Sequence, residues 1–223
     1  MLLTALLVGI ASLVISPRVF AAQAERDASP APTVLLFGDS LTAGYGLAPG
    51  EGWADLLARE LDRRTPAWRV VNASVSGETT AGGRTRLARA LEKHRPRVLV
   101  LELGGNDGLR GMPVNVTRSN LAAMIAEGRK AGAEVVLVGV RIPPNYGPDY
   151  AADFEAVFTD LAAEGTGGVH LVRFLLKGVA LDFSLMQPDG IHPTAAAQPR
   201  LLENVRGALF EAIAAAGATI RQD

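Results

Sequence analysis

Residues 33–42 read Thr33-Val34-Leu35-Leu36-Phe37-Gly38-Asp39-Ser40-Leu41-Thr42, and this stretch decides the fold. Four successive apolar residues without alternation predict a strand buried on both faces, as in a parallel sheet, and the Gly-Asp-Ser that follows predicts a turn at its carboxyl end. The same grammar recurs outward. Arg69–Asn72, Val98–Leu103, Val135–Val140 and Val169–Val172 are four more runs of strand length and similar character. Between them, apolar residues recur at helical spacing: Trp53, Leu56, Leu57 and Leu61; Leu87 and Leu91; Leu121, Met124, Ile125 and Gly128; Phe154, Val157, Phe158 and Leu161. A last helix is predicted from Thr194 or Gln198 through Ile213, with Pro199 acceptable only in its first turn. Alternating strand and helix predicts an α/β fold, a five-stranded parallel sheet with helices on both faces. The sequence carries no internal repeat and no sign of a second domain.

The amino terminus has a different composition. Met1 to Ile15 is almost wholly apolar, shorter than the roughly 20 residues that span a bilayer, and ends near Ala22-Gln23-Ala24, a small-residue cleavage pattern. Residues 1–24 are therefore expected to be a secretory signal peptide, cut after Ala24 or, as second choice, Ala21. No Lys or Arg precedes Arg18, a departure from the usual basic start. Residues 25–32 form a proline-containing lead-in, and 33–223 a single domain. The expected location is periplasmic or secreted, with no stable membrane span after cleavage. A formal net charge of −1 argues against a nucleic-acid partner, and the absence of cysteine excludes thiolate chemistry and cysteine metal sites.

Three short segments carry the chemistry. Ser40 lies three residues past Phe37, where a strand of a parallel sheet would deliver it to the carboxyl edge. A serine hydroxyl needs a base, and the chain has three histidines. His94 falls at a helix end, and His170 interrupts a short strand. His192 follows Asp189 by three residues in Asp189-Gly190-Ile191-His192-Pro193. One tight turn can bring that carboxylate to Nδ1, leaving Nε2 for the serine. Two loops could stabilise an oxyanion: Asn72-Ala73-Ser74-Val75-Ser76-Gly77-Glu78-Thr79, through the backbone N–H of Gly77, and Glu102-Leu103-Gly104-Gly105-Asn106-Asp107-Gly108, through the Asn106 amide. Asp39 reads as a turn-stabilising side chain. A Gly-x-Ser-x-Gly elbow is absent because Thr42 stands where its second glycine would be, which disfavours an α/β-hydrolase. Leu109, Met112, Ile142, Pro143, Pro144 and Tyr146 are apolar residues on the predicted catalytic edge and candidates for an acyl groove.

With these segments in hand, the chain resembles the SGNH or GDSL hydrolase superfamily. Within it, Gly38 to Tyr45, Val71 to Ser74, Glu102 to Gly111 and Pro144 to Gly147 are similar to the bacterial periplasmic thioesterase I group, also described as arylesterases and lysophospholipases. The resemblance implies a three-layer flavodoxin-like fold. It also implies Ser40 as nucleophile, His192 as base, Asp189 as its acid, and an oxyanion hole from the Ser40 N–H, the Gly77 N–H and the Asn106 amide. No cofactor or metal is implied. The expected partner is a small-molecule acyl ester or thioester, bound by a monomer through Leu109, Ile142 and Tyr146. Rival expectations are a carbohydrate O-acetylesterase on the same fold and a magnesium phosphohydrolase built on Asp39, Asp107 and Asp189.

Overall fold

The structure is a computed structural model that describes residues 31–64, 67–165 and 168–217. The expected leader and most of the lead-in lie outside these residues. The first strand, β1 (Thr33–Gly38), is wholly buried and runs into a one-turn helix, α1 (Ser40–Ala43), capped by Asp39. There follow α2 (Trp53–Asp62), β2 (Arg69–Asn72), α3 (Thr80–His94), β3 (Val98–Glu102) and the short α4 (Gly105–Leu109). The second half contains α5 (Val114–Lys130), β4 (Glu134–Val138), α6 (Pro148–Glu164), β5 (Val169–Val172) and α7 (Gln198–Ala215), with Pro199 in the first turn of α7.

All strand pairings are parallel, in the order β2-β1-β3-β4-β5. The apolar residues of the central strands divide by parity. Val34, Leu36, Val98, Val100, Val136 and Val138 face α2 and α7, while Leu35, Phe37, Leu99, Leu101, Val135 and Leu137 join the core of α3, α5 and α6. Both faces are thus covered, which is why these strands read as continuous rather than alternating hydrophobic runs. The edge strands differ from expectation. Arg69 and Asn72 of β2 are exposed and the rest of that strand is half-buried, as is most of β5, because each has a neighbour on one side only.

Helix α2 is anchored across the sequence. Its first backbone N–H, at Trp53, has no intrahelical acceptor and donates to Oε1 of buried Gln198 at 3.0 Å. The chain passes from β1 outward to β2, then back across β1 to β3. The loops after β1 and β3 therefore diverge at a switch point, where such sheets form their crevice.

Candidate active site

Ser40 opens α1 at this switch point and His192 reaches it from the loop before α7. Ser40 Oγ lies 2.9 Å from His192 Nε2, and His192 Nδ1 lies 2.7 Å from Asp189 Oδ2. Because an ionised carboxylate can only accept, the Nδ1 proton faces Asp189 and Nε2 is left to accept from Ser40. Asp189 also receives the backbone N–H groups of Ile191 and His192, at 2.9 and 3.0 Å on Oδ1. The His192 N–H and ring, together with the Ile191 N–H, hold its carboxyl down to about 2. The expected triad is assembled. The other two histidines have other settings: His94 ends α3, where burial and nearby Lys93 and Arg69 lower its pKa, and His170 sits between Glu134 and Glu211.

The tyrosine of the first segment was not singled out in the sequence. The Tyr45 ring lies 4.5 Å from the imidazole, centroid to centroid, tilted by 38°. Gln187 ties the two segments together, donating to the carbonyls of Tyr45 at 2.9 Å and Pro193 at 3.0 Å. These contacts hold the histidine loop over the serine turn.

The segment expected to be a loop around Asn106 is the short helix α4, and it is locked to the loop carrying Gly77. Asp107 accepts from both the backbone N–H and the hydroxyl of Thr80, capping the start of α3 just beyond Gly77. Asn106 Nδ2 donates to Glu78 O at 2.9 Å and to Asp39 Oδ2 at 3.1 Å. Arg110 donates to the Gly77 carbonyl at 3.2 Å. Gly77 has φ of 79°, a conformation that penalises a side chain. Its N–H and that of Ser40 have no hydrogen-bond partner among the described residues. The Asn72–Ser74 segment braces the serine turn, through Gly38 N–H to Ser74 Oγ (3.0 Å) and Asn72 Nδ2 to Thr42 O (2.8 Å).

Beneath the nucleophile lies a group the sequence reading passed over. Glu102, the last residue of β3, is fully buried and accepts from Thr42 Oγ1 at 2.7 Å and from Asp39 N–H at 3.3 Å. Its other oxygen has no hydrogen-bond partner among the described residues. Burial, reinforced by the Asp39 charge, pushes its pKa well up, and burial raises Asp39 to about 6 against the pull of the Leu41 N–H. That shift favours the protonated form of Glu102. A Cβ on Gly38 would fall 2.7 Å from Glu102 Oε2 and 2.9 Å from Thr42 Oγ1, so the glycine of the Gly-Asp-Ser turn makes room for this acid. Thr42 is equally specific, because the glycine of an α/β-hydrolase elbow could not donate to Glu102. Asp39 does stabilise the turn as expected, through Leu41 N–H to Oδ1 at 3.0 Å. It also anchors Asn106, which the sequence did not reveal.

Of the three groove candidates, Tyr146 is exposed and donates through its hydroxyl to Leu109 O at 3.2 Å, and Leu109 is half-buried. Ile142 requires correction. It is 5 % exposed and belongs to the core, filling the space left by the missing side chain of Gly108, where a Cβ would sit 2.1 Å from its Cδ1. After β4, Val140 and Ile142 turn inward while Arg141 between them stays exposed, so Ile142 lies under the loop rather than on its surface. The aspartates of the phosphohydrolase alternative serve Asn106, Thr80 and His192 separately, and among the described residues no three acidic or imidazole side chains gather as a metal-ligand set.

The chain is similar to known proteins over most of its length. The chain is 49 % identical over 175 residues to Esterase TesA of Pseudomonas aeruginosa, covering 78 % of this chain and 86 % of that one. It is 42 % identical over 172 residues to thioesterase 1/protease 1/lysophospholipase L1 of Escherichia coli K12, covering 77 % and 80 %. The crystal structure of the esterase EstA from Pseudoalteromonas sp., inhibited by monoethylphosphonate, superposes with a TM-score of 0.74 at 37 % identity, over 80 % of this chain and 97 % of that one. Residues 36–199 match the family described as GDSL-like Lipase/Acylhydrolase. That match runs from the strand before Ser40 to the helix after His192, and the chain belongs to this family of hydrolases.

Proposed function

We propose that this protein hydrolyses fatty acyl esters and thioesters through an acyl-enzyme on Ser40. The observation that carries the reading is the hydrogen-bonded chain Asp189–His192–Ser40, with spans of 2.7 and 2.9 Å, beside the open N–H groups of Ser40 and Gly77. Ser40 Oγ attacks the acyl carbonyl as its proton passes to His192 Nε2. Asp189 stabilises the imidazolium without taking its proton. The carbonyl oxygen, now negative, receives hydrogen bonds from the Ser40 and Gly77 N–H groups and from the Asn106 amide. Collapse of the tetrahedral intermediate breaks the bond to the alcohol or thiol, which leaves with the proton from His192. Water then enters, gives its proton to the same nitrogen and releases the acid by the reverse sequence. No step calls for a cofactor.

Substrates of the aryl ester, acyl-CoA and lysophospholipid type suit a site whose rim carries Leu109, Met112 and Tyr146, and the names of the two relatives, an esterase and a thioesterase/lysophospholipase, support esters, thioesters and lysophospholipids. This apolar rim favours a fatty acyl group over the carbohydrate acetyl group of the alternative reading. Export is proposed from the apolar Met1 to Ile15 segment and the Ala22-Gln23-Ala24 pattern. Mass spectrometry of the exported fraction should find Glu25 or Ala22 at the amino terminus, and recovery of full-length cytosolic protein would refute it.

The chemistry is tested with a fluorophosphonate probe. Wild-type protein should be labelled on Ser40, and Ser40→Ala should lose both labelling and esterase turnover while keeping its thermal transition. Wild-type turnover in Ser40→Ala would overturn the mechanism.

A further inference from the structure

Large exposed apolar side chains are not scattered over this protein. Of the eight among the described residues, all but Val116, on α5, lie on loops following the carboxyl ends of the strands, the edge that holds Ser40 and His192. Each of the five loops contributes at least one. Isolated exposed hydrophobes are ordinary, but a set gathered on one face marks an interaction surface. Two are extreme. Leu181 and Phe183, on the loop between β5 and the catalytic Asp189, are 95 % and 86 % exposed. That loop is held firmly in shape. Asp182 Oδ1 accepts the N–H and hydroxyl of Ser184 at 3.0 and 2.6 Å, and Met186 pairs with Pro193 next to His192.

A cavity of about 370 Å³ adjoins this tip, lined in part by Phe174, Leu176 and Leu181 with Arg141, Lys177 and Asp182. Asp182 is occupied by its own turn, and Arg141 shares its charge with Glu155 at 2.7 Å. Lys177 has no ion-pair partner among the described residues. The combination is amphiphilic, with apolar side chains presented outward and a free cation beside a cavity. It fits the surface of a lipid aggregate better than a single soluble substrate, because hydrocarbon can take up Leu181 and Phe183 while anionic headgroups meet Lys177.

We propose that the catalytic face docks on anionic phospholipid surfaces, with Leu181 and Phe183 entering the acyl layer and Lys177 meeting the headgroups. The enzyme then draws its acyl substrate from that surface, an extension that rests on the acyl-hydrolase reading above. Burying one such side chain is worth about tenfold or more in partitioning.

The test uses the full chain, and its lack of cysteine permits clean labelling. Leu181→Cys, Phe183→Cys and, as a control, Ala131→Cys, an exposed position after the last residue of α5 at the opposite edge of the sheet, each carry an environment-sensitive fluorophore and are mixed with phosphatidylglycerol vesicles. A blue shift at 181 and 183, absent at 131, is expected. The double variant Leu181→Asp with Phe183→Asp should lose at least about tenfold in turnover of a long-chain ester presented in those vesicles, while keeping turnover of a soluble short-chain ester. No shift at 181 and 183, or an equal shift at 131, would overturn the proposal. So would a shift that needs no lipid and grows with protein concentration, which would assign the face to a second copy. Equal loss on the soluble ester would make the tip a support of the histidine loop. Absence of any esterase turnover in the wild type would defeat the acyl-hydrolase reading, and the vesicle labelling would still decide the docking.

Discussion

Replacing Asn106 by alanine tests how the oxyanion hole operates. A donor already aimed at the oxyanion typically contributes 100- to 1000-fold to turnover, about 2.7–4 kcal/mol. Asn106 is not idle in this structure, since its two Nδ2 protons are given to Asp39 Oδ2 at 3.1 Å and to the carbonyl of Glu78 at 2.9 Å. To serve the oxyanion it must give up the neutral Glu78 bond while the Asp39 carboxylate holds the other proton. A bond to a charged acceptor contributes about 1.5–3 kcal/mol and one to a neutral acceptor about 0.5–1.5, so the exchange gains about 1–1.5 kcal/mol. Asn106→Ala should accordingly lower kcat by about 5- to 15-fold with little change in KM. Single-turnover acylation by a soluble p-nitrophenyl ester, beside a thermal melt to verify folding, measures this directly. A loss of 100-fold or more would refute the exchange and show that the amide reaches the oxyanion without releasing Glu78. Unchanged kcat with a raised KM would remove Asn106 from the oxyanion hole.

Glu102→Gln should retain activity, because the amide oxygen can still accept from Thr42 and the Asp39 N–H and the raised pKa favours the neutral form that an amide resembles. Both Glu102 and Asp39 are raised when folded, so the stability they confer is full below about pH 4 and lost as pH rises through about 6 for Asp39 and higher for Glu102. The variant should flatten that fall and melt higher than wild type at pH 7 but not at pH 4, and parallel Tm–pH curves would contradict a protonated Glu102. For Asp189→Asn, the half-exposed carboxylate supports the imidazolium by about 1–4 kcal/mol, depending on local screening. Its kcat should fall about 5- to 1000-fold, and an unchanged kcat would dismiss the residue from the triad. His94→Gln and His170→Gln should keep wild-type kcat/KM, since only His192 reaches Ser40, and loss of activity in either variant would point to a different base. Ile142→Ala should destabilise by about 2–5 kcal/mol, as core truncations do, and affect all acyl lengths alike. Leu109→Ala should reduce kcat/KM for long chains more than for acetyl esters, and equal losses would place Leu109 outside the groove.

By itself, the sequence determined the five strands, the five long helices and the three segments that meet at Ser40, because periodicity records which residues are buried and loop chemistry records where the chain turns, while the one-turn helices that carry Ser40 and Asn106 are too short to show a period. The Asp189-x-x-His192 pair was legible for a local reason: three residues suffice to close the contact. Residues that meet across long sequence separations were not. Glu102 was only the polar residue near the end of the predicted Val98–Leu103 run. Only the β1–β3 register, which pairs Gly38 with Glu102, puts its carboxyl beneath the nucleophile. Asp107 looked like a turn residue or a metal ligand until α3 presented Thr80 to it. Ile142 seemed to belong to an exposed loop, and the absence of a side chain at Gly108 drew it inward. The clustering of exposed apolar residues on one edge was likewise invisible, since it joins five separate loops. Burial along one element follows from its own residues, but which side chains share a site depends on how the elements are brought together, and that was decided by the packed sheet.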